Sequence, residues 1–512
     1  MAGSLARRGR ALLASALVFA AASPATSAPN ALARVPPRGW MSWQSYRCET
    51  DCATFPDICI SERLYRAQAD ALVASGLAAA GFATVHLDDC IVDIAGRDPI
   101  THALRADPIR FPSGFKALGD YLHARNLSFG FYTAVSTTTC GGYPGSRGFE
   151  AVDAASFAEW GVDYLKADGC GDPDYYKVGY PALGAALQAT GRDIIYSCSW
   201  PAYLGDDEAQ KPFAAFIAAG CNSWRNYLDM GPTIGYLDGI LEHFGNYSDV
   251  LSLWAGPGHW HDADMLLAGV DGVPAAAQAA QLAVYAVLAL PLILGNDMRA
   301  LPPAAAALLT NADALAISAD AAGRAGVRLG GATAAGAPLQ TWVRPLANGD
   351  VAVVLQNVGA ASAHPWHSAC APFNATVGGY FAPAAAQPAS WCGPALGQSL
   401  MDWYCCNSED CAGYNFSTAT RSGCLFKDTA GGFVPADANT TGYTKPGFAP
   451  PRGAPADMTV SFADVGLFPG STISVYDVWA RRVVATTNAS SFTAAAVPWR
   501  GAAFLRLSTV AQ

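Results

Sequence analysis

The sequence predicts an α/β protein built as a (β/α)8 barrel followed by an antiparallel β-sandwich. Three observations carry that expectation. Short apolar runs alternate with Ala-rich helical stretches from about Pro36 to Arg299. Polar or acidic residues recur at the ends of those runs, where a parallel barrel gathers them on one face. After about Val327 the pattern changes to strands of period two with tight-turn residues between them.

The strand candidates of the barrel lie near Gly39–Trp43, Thr84–Asp88, Ser128–Tyr132, Val162–Asp168, Ile194–Cys198, Asn222–Asn226, Ser252–Ala255 and Leu292–Leu294. Amphipathic stretches at Glu62–Ala74, Gly114–Ala124, Ala151–Trp160 and Tyr180–Ala189 read as the intervening helices. The fourth strand is the most informative. Val162, Tyr164 and Leu165 are apolar, whereas Lys166 and Asp168 alternate out of its far end, so both point to one side. Gly169 then ends the strand and leaves a carboxylate at its C-terminal tip, the place where parallel barrels do chemistry. Asp88, Asp89, Tyr132, Ser199, Arg225 and Asp264 occupy comparable strand-end positions.

Residues 1–28 read as a secretory leader. Arg7, Arg8 and Arg10 precede an apolar run, Ala11–Ala22, too short to span a bilayer, and small residues at Ser23–Ala28 offer a cleavage site. The uncharged stretch Gly272–Asn296 is interrupted by Pro291 and predicts a buried helix over about Ala275–Leu290 feeding a strand, not a membrane span. The barrel is assigned to residues 29–325 and the sandwich to 326–512. Sandwich strands are expected at Leu339–Arg344, Val351–Asn357, Met458–Phe462, Ser474–Trp479, Phe492–Ala495 and Ala503–Leu507, with Asn348-Gly349 turning the first hairpin. A Pro/Gly/Cys-rich insertion at about 362–453 carries Cys370, Cys392, Cys405, Cys406, Cys411 and Cys424, whose pairing the sequence leaves open.

Charged residues make up 14% of the 512-residue chain and the net charge is −10, which argues against nucleic acid as a partner. Fourteen cysteines behind a leader imply disulfides. Six Asn-x-Ser/Thr sequons, at Asn126, Asn246, Asn374, Asn415, Asn439 and Asn488, fit the same secretory route to an extracellular, lysosomal or vacuolar destination. His259-Trp260-His261-Asp262 is the one candidate metal cluster, and it lacks the ligand number and spacing of a zinc site. No metal or cofactor is expected, and no integral membrane association.

Several segments share a wording beyond these patterns. GWMSWQSYRCETDC (39–52), HLDDC (86–90), LKADGC (165–170), SCSWPAY (197–203), CNSWRNYLD (221–229), AGPGHWHDADML (255–266) and VYDVWARR (475–482) resemble the α-galactosidase/α-N-acetylgalactosaminidase family of glycoside hydrolases. The likeness runs through the barrel and both halves of the sandwich but not the insertion. It implies a retaining double displacement on terminal α-linked N-acetylgalactosamine or galactose, with Asp168 as nucleophile and Asp229 as acid/base. Two such carboxyls stand about 5–5.5 Å apart in retaining enzymes. Acid work by Asp229 suggests a pKa raised by burial or by neighbouring negative charge.

The resemblance further implies that Asp88 and Asp89 accept hydrogen bonds from sugar hydroxyls, and that Lys166 and Arg225 donate to others while holding Asp168 ionised. Trp43 and Tyr132 supply an apolar wall, and Asp264 and Met265 line the pocket, although His261 and Ala263 depart from the family's usual wording there. It pairs Cys48 with Cys90, Cys52 with Cys59, Cys140 with Cys170 and Cys198 with Cys221, with the Cys140–Cys170 bridge in the pocket wall. Ser199 and Ala202, followed by Tyr203, stand where animal-type galactosidases have Glu and Leu, and leave room for an acetamido group. N-acetylgalactosamine is therefore the preferred sugar, with a predominantly α-galactosidase enzyme as the alternative and an inactive carbohydrate-binding protein as the third reading. The resemblance is also compatible with a homodimer.

Overall fold

A computed structural model describes residues 30–270, 273–334, 336–359 and 453–510, together with the backbone of short strands between residues 374 and 444. The predicted leader, residues 1–28, lies outside the described residues.

Eight parallel strands form one sheet in which neighbours follow chain order: β1 (Arg38–Met41), β2 (Thr84–His86), β3 (Ser128–Ala134), β4 (Tyr164–Asp168), β5 (Ile195–Cys198), β6 (Ser223–Arg225), β7 (Trp260–Asp262) and β8 (Leu292–Leu294). β8 pairs with β1, and a single parallel bridge between Leu266 and Leu294 joins the two remaining edges. The (β/α)8 expectation therefore holds. Helices at Glu62–Ala74, Gly114–His123, Glu150–Trp160 and Pro173–Ala189 cover the sheet, close to the predicted stretches, although the last begins seven residues before Tyr180. Asp172 caps that helix from in front of Pro173, so the helix starts where proline is best tolerated.

One strand was placed wrongly by the sequence pattern. Ser252–Ala255 is not the seventh strand: the helix Ser248–Leu251 continues into it as a turn, with Ser252 and Trp254 donating to Ser248 and Leu251. The true β7 is Trp260–Asp262, three buried residues without a β-branched side chain, which read as a polar cluster rather than a strand. The uncharged stretch after residue 272 is resolved as expected into a helix, Ala275–Leu288, and β8, and among the described residues no helix is long and apolar enough to cross a membrane.

The C-terminal region is an antiparallel sheet assembly. Its six-stranded sheet contains Leu339–Pro345 and Val351–Asn357, paired around Gly349 as the Asn-Gly signal predicts, and adds Val327–Arg328 and Arg482–Thr487, which the sequence reading missed. Ala456–Ser461 and Ser491–Val497 form a separate pair packed against it. Arg344, fully buried, donates to the carbonyls of Ala286 and Ile317 and so ties this sheet to the barrel helices. Within the insertion, where little periodicity was expected, backbone segments from Asn374 to Thr444 pair as an antiparallel five-stranded sheet. The side chains of its six cysteines and of Asn374, Asn415 and Asn439 lie outside the described residues. Asn126 and Asn488 are exposed, whereas the Asn246 side chain accepts a hydrogen bond from buried Arg328.

Candidate active site

At the C-terminal end of the barrel strands lies a cavity of about 250 Å³. That is below the roughly 300–1,000 Å³ of pockets for drug-sized ligands, so it suits one small polar ring. Asp88, Tyr132, Lys166, Asp168 and Arg225 come from strands β2, β3, β4 and β6 or their tips, and Trp43, Cys140, Ser199, Ala202, Tyr203 and Asp229 from the loops beyond. Lys166 and Asp168 both reach it, as their spacing along β4 required.

Asp168 is held by three donors. Gly169 N and the Tyr203 hydroxyl donate to Oδ1 at 2.9 and 2.7 Å, and the Tyr132 hydroxyl donates to Oδ2 at 3.1 Å. The β3–β4 register sets Ala134 opposite Asp168 and Tyr132 opposite Lys166, which brings the phenol within reach. Gly169 carries no side chain for a direct reason: a Cβ there would collide with the Tyr203 ring. The disulfide Cys140–Cys170 closes the loop beside the carboxylate, and the other three bridges of the barrel join Cys48–Cys90, Cys52–Cys59 and Cys198–Cys221, all as expected. Although the sulfurs of Cys140 and Cys170 lie near Asp168, they are bonded to each other and offer no thiolate to a metal.

The cations are shared among several carboxylates. Lys166 donates to Asp88 at 2.7 Å, not to Asp168, so its influence on Asp168 acts through space. Burial alone pulls the Lys166 ammonium down, but Asp88 and Asp168 outweigh it and keep the group charged. Arg225 donates to Asp229 at 3.0 Å and lies 3.3 Å from Asp264. Asp229 stands on the loop four residues beyond β6, at the cavity mouth, with its side chain 70% exposed. Desolvation pulls its carboxyl upward, yet Arg225, Lys166 and Arg47 overcome that pull and hold it below the usual carboxylate value. This reverses the expected direction: the charges that act on it most strongly are cations, and Arg225 is hydrogen-bonded to it.

Four expected residues stand behind the wall. Asp89 follows the end of β2 and accepts from Cys90 N and Gly141 N, both at 2.7 Å, which fixes the loop carrying Cys140. Met265 packs with Met41, Ile293 and Trp43. Asp264 accepts from Met230 N at 2.6 Å besides facing Arg225, and Cys170 is bonded to Cys140, which itself lines the wall. Conversely, Asp206, Tyr227 and Leu228 line the cavity although the sequence reading did not single them out. Tyr227 and Leu228 lie inside the quoted motif 221–229 beside Arg225, which was the available signal, whereas Asp206 falls three residues beyond the motif that ends at Tyr203. His261 accepts from Trp224 Nε1 at 2.9 Å and meets the Leu251 carbonyl at 2.8 Å, so both ring nitrogens are engaged by the scaffold.

A barrel with paired carboxylates, cations and aromatic walls around a sugar-sized hollow at its strand tips has the construction of a glycoside hydrolase site. The family described as Alpha galactosidase A matches residues 35–320, and the Alpha galactosidase C-terminal beta sandwich domain matches 442–507. Alpha-galactosidase A of Homo sapiens is 39% identical over 334 residues, 64% of this chain and 75% of that one. Alpha-N-acetylgalactosaminidase of Gallus gallus is 40% identical over 334 residues, 64% and 79% of the two chains. The fold also superposes on alpha-galactosidase I from Mortierella vinacea with a TM-score of 0.66 at 24% identity, covering 94% of this chain and 99% of that one. The chain is a glycoside hydrolase, and it belongs to the alpha-galactosidase A family.

Proposed function

We propose that the protein removes a terminal α-linked N-acetylgalactosamine or galactose by a retaining double displacement. Asp168 attacks the anomeric carbon and Asp229 protonates the departing oxygen; Asp229 then takes a proton from the water that hydrolyses the glycosyl-enzyme. The observation that carries this reading is that both carboxyls line one cavity with different surroundings. Asp168 is fixed by three donors and points inward, whereas Asp229 sits at the wetted mouth beside Arg225, where a leaving group departs. Because Arg225 favours the ionised form of Asp229, its acid role calls for acidic surroundings, and substrate helps by expelling water from the mouth. Asp88, Lys166 and Arg225 bind hydroxyls, and Trp43 and Tyr132 pack against the sugar's C–H faces.

Ser199 and Ala202 beside Tyr203 leave the cavity open, which supports a preference for the acetamido sugar. Plain galactose also enters an open pocket and forfeits only the acetyl contacts, about 1–3 kcal/mol. The four disulfides among the described residues call for an oxidising folding compartment and support passage through the secretory pathway to an extracellular, lysosomal or vacuolar site. Parallel kinetics on aryl α-N-acetylgalactosaminides and α-galactosides at acidic pH, with Asp168→Asn as control, test the proposal. Turnover of both, abolished in the variant, is expected; a protein that binds these sugars and turns over neither would be a lectin on the same scaffold.

A further inference from the structure

Behind the loop that carries Asp229 lies a charged cluster that takes no part in the scheme above. Glu208 is fully buried, and its Oε1 accepts from Lys211 Nζ and faces His243 Nε2, each at 2.8 Å. Its Oε2 accepts from Asn226 Nδ2 at 2.9 Å, and Lys211 Nζ also donates to the Asn226 carbonyl at 2.7 Å. The side chains of Glu208 and Lys211 are 0% and 1% exposed. The ring of His243 stacks on Tyr227, with centroids 3.8 Å apart and planes 4° from parallel.

Removing two charges from water is expensive, and a buried pair of this kind is weak as a source of stability. What the cluster does achieve is geometric. Three consecutive residues leading to Asp229 are each gripped: Arg225 by Asp264, Asn226 by Glu208 and Lys211, Tyr227 by His243. Glu208 is the common partner of the last two grips. Burial pushes its carboxyl up, but the hydrogen bond from His243 and the charge of Lys211 prevail and keep it ionised.

We infer that Glu208 is a positioning residue for Asp229, holding the segment 225–229 in register through Lys211, Asn226 and His243. The inference rests on the assignment of Asp229 as acid/base. Proton donation tolerates little displacement, since misplacing a group by about 1 Å costs roughly 100-fold in rate.

The test is the dependence of kcat/KM on the leaving group, from phenyl through 4-nitrophenyl α-glycosides to the glycosyl fluoride, whose departure needs little proton donation. Asp229→Ala is the control, and a uniform loss across the series in that variant would refute the acid/base assignment itself. Given a graded loss there, His243→Phe, which keeps a ring on Tyr227 but cannot donate to Glu208, should lower the phenyl glycoside roughly 10- to 100-fold more than the fluoride. The double change Glu208→Gln with Lys211→Met, which leaves no unpaired charge, should behave alike, and His243→Gln, which restores a donor, should recover part of the loss. Equal losses on all substrates in His243→Phe, or none, would overturn the positioning role while leaving the assignment of Asp229 intact.

Discussion

The Tyr203 hydroxyl donates to Oδ1 of Asp168 at 2.7 Å, and the same ring lies so close to Gly169 that no Cβ fits between them. One residue thus orients the nucleophile, shapes the backbone beside it and borders Ser199 and Ala202 in the cavity wall. Tyr203→Phe keeps the ring and removes the donor. A hydrogen bond to a charged group contributes about 1.5–3 kcal/mol, so kcat/KM should fall roughly 10- to 100-fold with the fold unchanged. Steady-state kinetics alongside circular dichroism check this; unaltered kinetics would show that Tyr132 and Gly169 hold Asp168 without help.

The sugar preference is tested at the same wall. Ser199→Glu with Ala202→Leu fills the space that the small pair leaves open, and should exclude the acetamido group while still admitting galactose. The ratio of kcat/KM for α-galactosides over α-N-acetylgalactosaminides should rise by at least about tenfold. An unchanged ratio would place the selectivity elsewhere in the cavity.

The pH profile follows from Arg225. Its charge holds the Asp229 carboxyl below the usual value, so the protonated form needed for the first step is lost as pH rises through that lowered pKa. Arg225→Gln removes the cation and raises the pKa, and the alkaline limb of kcat/KM should move to higher pH, whatever the loss in overall rate. Arg225→Lys keeps the charge and should leave the limb near its original position. A limb that stays put in Arg225→Gln would mean that another group titrates there.

Two buried histidines should make the fold less stable as the medium turns acid. Burial, with a smaller push from Lys166, lowers the His86 imidazole to about 3, and burial lowers that of His261 to about 4. In the unfolded chain such rings titrate near ~6.5. The unfolded state therefore binds protons first, so the stability each neutral ring contributes is complete above pH ~6.5 and declines as pH falls toward 4, by up to about 1.4 kcal/mol per unit for each ring. His86 lies between Gly39 and Gly130, on which a Cβ would strike its ring, and neither of its nitrogens has a hydrogen-bond partner among the described residues. His86→Phe should consequently flatten the fall of Tm between pH 7 and pH 4.5, and Gly130→Ala should destabilise by about 1–3 kcal/mol through overcrowding. Melting curves across that range would show it; a slope identical to the parent's would assign the acid sensitivity to other groups.

Much of this was legible in the chain. Alternation along β4 puts Lys166 and Asp168 on one side, and the Asn348-Gly349 turn with its flanking strands announces the hairpin, because both signals are local. β7 was not legible, since Trp260–Asp262 is made a strand by its pairing with β6 rather than by its own composition. The motif wording supplied the list of candidate residues, yet which of them face the cavity was decided by packing: Asp88 does, whereas Asp89 turns to Gly141 and Met265 to the core. The direction of the Asp229 pKa likewise depended on Arg225, Lys166 and Arg47 being brought to bear on it together, which sequence separation does not encode. Period, turn chemistry and residue type are properties of short stretches, and the sequence states them. Which charges meet, and which are buried, are properties of pairs brought together across the barrel, and only the folded chain determines those.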